Sequence, residues 1–349
     1  MAGFFRPGKA VPKVATRYSL RRLSARMNVF VTGGAGYIGS VCVEELLNAG
    51  HTVTVFDNLA EGHRAAVDPR ARFLQGDFND RSTIDVAMQA IRPDAVVHFA
   101  AHALVGESMT NPSKYFRNNV AGGINLLDAC VSAGVKKFVF SSTCATYGTP
   151  EKMPMDESLT QRPVNPYGES KLMFEQVLKW YQQLHQLEFV AFRYFNAAGA
   201  SRQFGEHHRI ETHLIPNVLK VALGQKSHVE IFGTDYPTPD GTCIRDYIHI
   251  ADLAQAHILA LAPGKTGFFN LGNGEGFSVR EVISACERIS GRKITALEKP
   301  RRAGDPPRLV AAAGKAIREL GWKPQFPHLD QIITTAWAWH ERHPAGYAD

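Results

Sequence analysis

Tyr167 and Lys171 stand four residues apart in the segment Asn165-Pro166-Tyr167-Gly168-Glu169-Ser170-Lys171. A helix that starts after Pro166 places both side chains on one face, a single turn apart. A free phenol is a poor base at neutral pH. Half-ionising it at pH 7 takes about three pK units, or roughly 4 kcal/mol. A neighbouring ammonium together with a positively charged cofactor ring can supply that in a low-dielectric cleft, which makes the lysine a tuner of the tyrosine. Upstream, Phe140-Ser141-Ser142-Thr143 reads as the hydroxyl-rich end of a strand. Thr143 can lend its hydroxyl to a substrate oxygen and relay a proton towards the phenolate. A tyrosine and lysine at this spacing also arise by accident on helices. The hydroxyl-bearing strand end turns the pair into an acid–base set, Tyr167, Lys171 and Thr143.

These residues need a scaffold, and the chain alternates as one would require. Val29-Phe30-Val31 reads as a strand, Tyr37 to Asn48 as an amphipathic helix ended by Gly50, and Thr52 to Phe56 as a second strand. Short apolar runs recur at Arg72 to Gln75, Ala95 to Phe99, Phe138 to Ser141 and Phe189 to Arg193. The expected fold class is α/β, a doubly wound parallel sheet of the Rossmann type. After about Asn196 the texture becomes rich in Pro, Gly, His and Asp. Residues 27–196 are therefore expected to form a dinucleotide-binding domain, and residues 197–349 mainly a smaller substrate-binding lobe with some segments returning to the first.

Between the first strand and helix lies Thr32-Gly33-Gly34-Ala35-Gly36-Tyr37-Ile38-Gly39. Gly33 allows a tight turn, Gly36 lets backbone approach a pyrophosphate, and Gly39 lets the helix pack closely; Tyr37 and Ile38 open that helix. Asp57, followed by Asn58 after the second strand, can accept both adenosine ribose hydroxyls and would repel a 2′-phosphate, so the expected cofactor is NAD. Asp77, followed by Phe78, is placed to reach the adenine.

The 349 residues are 44% hydrophobic and 21% charged, with a net charge of +6. Seven basic side chains (Arg6, Lys9, Lys13, Arg17, Arg21, Arg22, Arg26) and no acid fall in the first 26 residues; the remainder is close to neutral. That balance removes the main argument for a nucleic-acid partner. Residues 1–26 are expected to be a disordered extension or the product of a start codon placed before Met27, although their arginine content also resembles an organelle transit peptide. No apolar run is long enough for a membrane span, so no membrane partner is expected and the cytoplasm is the default location. The five cysteines, Cys42, Cys130, Cys144, Cys243 and Cys286, are scattered and predict neither a disulfide framework nor a zinc site. His207 and His208 sit in a polar stretch without partners at ligand spacing, and no metal is expected.

Further along come Arg193-Tyr194-Phe195-Asn196, Ile231-Phe232-Gly233-Thr234-Asp235-Tyr236-Pro237, Asp240-Gly241-Thr242-Cys243-Ile244-Arg245-Asp246-Tyr247-Ile248-His249 and Arg342-His343-Pro344-Ala345-Gly346-Tyr347. With the glycine loop, the Tyr167/Lys171 pair and the Ser141-Ser142-Thr143 strand end, they resemble the extended short-chain dehydrogenase/reductase superfamily and, within it, the UDP-glucose 4-epimerase family. The likeness spans about Met27 to Asp349. It implies Tyr167 as base, Lys171 as tuner and ribose contact, and Thr143 as hydroxyl partner. It implies Phe99, Ala100, Asn119, Ser141 and Phe195 beside the cofactor. Asn196, the Leu214 backbone, Phe232, Arg245, Arg302 and Asp305 would hold a UDP-sugar, with both guanidiniums on the diphosphate. A homodimer built from helices of the dinucleotide domain is also implied.

The chain departs from well-studied relatives at Ala103, where they carry a lysine, and at His213, where they carry an asparagine; Leu309 matches a position that gates the sugar pocket. The implied reaction removes the proton of the sugar 4′-hydroxyl while NAD⁺ accepts the C4 hydride, after which the flat ketone turns over and is reduced on its other face. UDP-pentoses and UDP-N-acetylhexosamines remain alternative substrates. A dehydratase or decarboxylase would need a carboxylic acid beside Thr143, where this chain has Cys144-Ala145. A non-catalytic dinucleotide sensor would be expected to lose one of Tyr167, Lys171 and Thr143, and all three are present.

Overall fold

The computed structural model describes residues 26–302 and 305–348. Apart from Arg26, the expected basic extension lies outside the described residues. Fourteen strands occur among them: β1 (Asn28–Thr32), β2 (Thr52–Asp57), β3 (Arg72–Gln75), β4 (Ala95–His98), β5 (Lys137–Thr143), β6 (Glu188–Tyr194), β7 (Asn196–Ala198), β8 (Val229–Phe232), β9 (Ile244–Arg245), β10 (Tyr247–His249), β11 (Gly267–Leu271), β12 (Phe277–Ser278), β13 (Ala296–Lys299) and β14 (Arg308–Leu309). Seven form one sheet in the order β11-β6-β5-β4-β1-β2-β3, every pairing parallel. This is the doubly wound α/β sheet that the alternating pattern predicts.

Alternate residues of a strand point to opposite faces, and the sequence feeds each face a different core. Val29, Val31, Val53, Val55, Val97 and Val190 face one side, where helices α1 (Tyr37–Asn48) and a later helix, Ile250–Ala260, cover them. Phe30, Phe56, Phe138, Phe140 and Phe189 face the other, under α2 (Arg81–Ile91), α3 (Gly123–Ala133) and α4 (Pro166–His185). Valines dominate the strands on one face, joined by Phe192 and Phe269, and phenylalanines dominate the other, joined by Val96.

The chain returns to this sheet after the change in texture near Asn196. Strand β11 adds itself beside β6, and Ala316, Leu320 and Trp322 join the valine-lined core. A separate core gathers α5 (Leu214–Ala222), α6 (Val279–Ser290) and α7 (Leu329–Arg342) around Ile231, Tyr247 and Ile294. Helix α6 starts with a capping box, the Ser278 side chain accepting from Glu281 N–H while Glu281 reaches back. Among the described residues no helix is long and apolar enough to cross a membrane. In the large sheet β1 has β2 on one side and β4 on the other, so the winding reverses at their carboxyl ends, where α/β sheets bind ligands.

Candidate active site

The glycine loop sits at that reversal. Gly33, at φ +73°, turns the chain so sharply that a Cβ would lie 2.4 Å from the Ala100 backbone nitrogen. Phe99 and Ala100 close the contact by donating N–H to Thr32 O at 2.9 and 3.2 Å. A Cβ on Gly39 would stand 2.1 Å from Gly33 O, so this glycine packs α1 against its own loop. Gly36 differs: a Cβ there would meet only Gly33 O, at 3.4 Å. The protein's own packing does not demand that glycine, and the missing side chain leaves the backbone open to a ligand. Gly36 also caps α1 without a side-chain cap, and the first turn carries no acid, so N–H groups at the helix start are available to an anion. Tyr37 turns away, its hydroxyl donating to Gly199 O at 2.7 Å, and Ile38 packs on the core.

Asp57 ends β2 almost fully buried. Its Oδ2 accepts from Ala35 N–H at 3.0 Å and its Oδ1 from Leu59 N–H at 2.8 Å. Burial pushes its pKa up and these two N–H groups pull it back. Each oxygen keeps a lone pair for a further donor. Beside it Asn58 Nδ2 donates to Asp77 Oδ2 at 3.0 Å, which brings both residues to the same edge. The Phe78 ring is buried in the aromatic core, edge-on to His98, and so is committed to packing.

Asn119 is likewise committed. Its Nδ2 donates to His102 O and Ser170 Oγ, both at 3.0 Å, and its Oδ1 accepts from His102 N–H at 3.0 Å and Asn118 Nδ2 at 2.9 Å. Every hydrogen-bonding position of the amide is used. Its polar function is to clamp the loop after β4 to α4, the helix that carries Tyr167.

That helix starts as expected. Asn165 Oδ1 accepts from Gly168 N–H at 2.8 Å, Pro166 occupies the first turn, and Tyr167 and Lys171 follow on one face. Thr143 ends β5, buried; its Oγ1 accepts from Ala145 N–H at 3.1 Å, and it lies close enough to Tyr167 to lower that phenol's pKa. Lys171 Nζ donates to Ser141 O at 2.8 Å and lies 4.8 Å from the Phe140 ring centroid and 6.0 Å from that of Tyr167. Ser141 Oγ pairs with the Tyr194 hydroxyl. The geometry brings the three expected residues together, but their electrostatics depart from the expected activation. Burial raises Tyr167 to about 12, against the lowering effect of Thr143, and burial lowers Lys171 to about 7, against the raising effect of Glu175. A half-charged lysine does not ionise the phenol; without a positive cofactor ring, desolvation wins.

Sequence reasoning missed what stands behind Lys171. Glu175, one further turn along α4, is fully buried, accepts from Ser142 Oγ at 2.6 Å and pairs with Arg193 through Nε at 2.9 Å and Nη2 at 2.6 Å. Its spacing from Lys171 was the available signal; Arg193, on β6, is brought there only by the sheet.

On the opposite lip, Asn196 N–H and Nδ2 both donate to Asp246 O at 3.0 Å. Phe232 ends β8 with the Arg302 guanidinium 3.9 Å above its ring. Arg245 on β9 is ion-paired with Asp305 and donates to Ile244 O at 2.8 Å. Arg245 and Asp305, both expected at the sugar nucleotide, are thus brought together as an ion pair, and Arg302 lies over Phe232. Phe195, Leu309, Tyr147 and Met155 form a small apolar cluster. Leu214 opens α5, and the preceding His213 turns to Glu206. The reading that His208 has no partner at ligand spacing is also corrected: Glu206, His208, Glu211 and His213 converge, with ligand atoms all within 4.8 Å of one another.

The sheet, the glycine loop at its reversal and the tyrosine–lysine–hydroxyl set define a dinucleotide-dependent enzyme of the extended short-chain type. Residues 29–272 match the NAD dependent epimerase/dehydratase family, and the chain belongs to that family. It is 51% identical over 329 residues to UDP-glucose 4-epimerase of Lacticaseibacillus casei, covering 93% of this chain and 99% of that protein. A crystal structure of UDP-glucose 4-epimerase superposes with a TM-score of 0.90 at 48% identity, covering 92% of this chain and 100% of the other. The enzyme from Bifidobacterium longum, solved with NAD⁺ and UDP, is similar at a TM-score of 0.87 and 38% identity, over 92% and 100% of the two chains.

Proposed function

We propose that the protein is a UDP-glucose 4-epimerase that interconverts UDP-galactose and UDP-glucose with NAD as its resident cofactor. The observation that carries this reading is the placement of Tyr167 near Thr143 and beside buried Lys171, whose Nζ lies 6.0 Å from the Tyr167 ring, with Cys144 and Ala145 rather than a carboxylate next to Thr143. Such a set moves one proton reversibly and offers no acid for the later steps of a dehydration.

The residues present fit the dinucleotide. The uncapped start of α1 and the open backbone at Gly36 suit a pyrophosphate, and Asp57 with the Asn58–Asp77 pair suits the adenosine end. Bound NAD⁺ supplies a positive ring and a hydride acceptor, later donor, so substrate and product have the same oxidation level. Tyr167 takes the 4′-hydroxyl proton of the sugar through Thr143 and later returns it, while the C4–H bond breaks on one face of the sugar and reforms on the other. Lys171, held on Ser141 O, keeps a donor beside the phenolate. Arg245 and Arg302 hold the diphosphate, so the 4-keto sugar can rotate without leaving.

Purified protein given UDP-galactose and no added cofactor is expected to produce UDP-glucose. No UDP-glucose overturns the reading, and an accumulating keto product points instead to dehydration. Running UDP-xylose and UDP-N-acetylglucosamine in parallel tests the sugar preference. A homodimer through α4 is supported by Met173, Trp180 and Leu184, which are 41%, 60% and 66% exposed on that helix. Trp180→Glu is expected to halve the mass measured by light scattering; a wild-type monomer refutes this interface. A cytoplasmic location and a place in galactose metabolism belong to the same proposal.

A further inference from the structure

Away from the reacting groups, the loop ahead of α5 carries Glu206, His208, Glu211 and His213 within eight residues. The loop folds back so that one donor atom from each lies within 4.8 Å of every other. His208 Nδ1 stands 3.5 Å from Glu206 Oε1 and 3.2 Å from Glu211 Oε2, and His213 Nδ1 contacts Glu206 Oε1 directly. Ligands at zinc distances in a tetrahedron stand about 3.3 Å apart. Two of these contacts already have that separation; the Glu206–His213 contact has to open.

Burial and charge single the cluster out. Both glutamate side chains are 4% exposed. Elsewhere buried carboxylates of this protein are answered by a permanent cation, as Arg193 answers Glu175, or by two or three backbone N–H groups, as at Asp57, Asp246 and Asp252. Among the described residues, the ion pairs of Glu206 and Glu211 are with imidazoles alone. Against burial, Glu206 and Glu211 raise the His213 pKa to about 9, so without an ion the cluster is one positive charge short; a divalent ion that displaces this proton leaves it neutral. His208 and His213, at 32% and 58% exposure, leave one side open for entry.

We propose that Glu206, His208, Glu211 and His213 form a binding site for a divalent transition-metal ion of the zinc class. Imidazole nitrogen paired with carboxylate oxygen suits zinc, whereas calcium and magnesium take oxygen alone. The site is structural in placement. His208 packs edge-on against Tyr37 of the glycine loop at 6.0 Å, and His213 immediately precedes Leu214. A bound ion would tie the start of α5 to the dinucleotide side of the cleft.

The test uses untagged, full-length protein produced in zinc-supplemented medium and analysed by elemental mass spectrometry. About one zinc per chain is expected after dialysis. After chelation, Co²⁺ titration should develop visible d–d absorption that saturates at a similar ratio, with His208→Ala/His213→Ala losing both signals while keeping bound NAD. Wild type that holds almost no zinc and gives no Co²⁺ bands overturns the proposal, as does a double variant that binds as much metal as wild type. If the variant fails to fold, the Co²⁺ spectrum of the wild type decides alone: bands typical of nitrogen and oxygen ligation support the site, and their absence sinks it.

Discussion

The two lips of the cleft are made from different material. On the dinucleotide side the working surface is backbone, glycine and buried polar groups: Gly33 against Ala100, Asp57 on two N–H groups, and Lys171 on Ser141 O. On the opposite lip it is long side chains on or beside short strands, with Arg302 stacked on Phe232 and Arg245 shared with a partly exposed Asp305. Groups packed on all sides cannot reorganise without disturbing the core, whereas partly exposed guanidiniums can trade one anionic partner for another. The contrast suits an enzyme that retains one ligand and exchanges the other.

The largest test of this contrast is Tyr167→Phe, which should lower kcat about a thousandfold, within the usual range for a lost general base, with bound NAD unchanged. Near-normal turnover would remove the catalytic assignment. Next, Gly39→Ala should destabilise the cofactor-free protein by about 2 kcal/mol, because its Cβ would strike the Gly33 carbonyl. Gly36→Ala should shift unfolding by less than about 0.5 kcal/mol yet empty the protein of NAD, since the added methyl meets no close protein neighbour. If the two variants behave alike in denaturant and in NAD content, the distinction between packing and ligand glycines fails. On the other lip, Arg245→Met should raise KM for the UDP-sugar about 10- to 100-fold and leave NAD in place, as expected for a lost charge-assisted bond. An unchanged KM would show that Arg245 serves Asp305 only.

The smallest effect concerns Lys171, whose pKa burial lowers from 10.5 to about 7. Below pH 7 the ammonium is present in both folded and unfolded chains, and the full cost of burying it is felt. Between about 7 and 10.5 the folded chain has lost the proton and unfolding takes one up, so that cost fades as pH rises. Urea unfolding of the cofactor-free protein should therefore show stability rising from pH 7 to 9. Lys171→Met should flatten this slope and be more stable at pH 7 by about 1–3 kcal/mol while losing activity. A variant less stable than wild type at pH 7 would mean that the Ser141 contact outweighs desolvation.

Much of the cofactor side was legible because its signals are local. A strand, glycine spacing and a helix start occupy consecutive residues, and helix α1 falls on Tyr37–Asn48 as the periodicity predicts. Lys171 follows Tyr167 by one helical turn, so their shared face needed only a helix. Other features depend on segments far apart in sequence. Strand β11 joins β6 in the sheet, Arg193 meets Glu175 across elements, and Asp305 meets Arg245 from a distant loop. The convergence of Glu206, Glu211 and His213 on His208 joins residues close in sequence, but it was not legible because a polar loop has no periodicity to orient its side chains.

Residue order alone determined which short-range shapes could form: the turn at Gly33, the helix faces, and the alternation of valine and phenylalanine that gives strands such as β1 and β5 two different sides. Backbone geometry repeats every two or 3.6 residues, so such choices are local. Only the tertiary structure decided the charge states of Tyr167 and Lys171, the partner of Arg245, and the convergence around His208. Those outcomes depend on how much water each group loses and which distant charge replaces it, quantities that do not exist until the chain has folded.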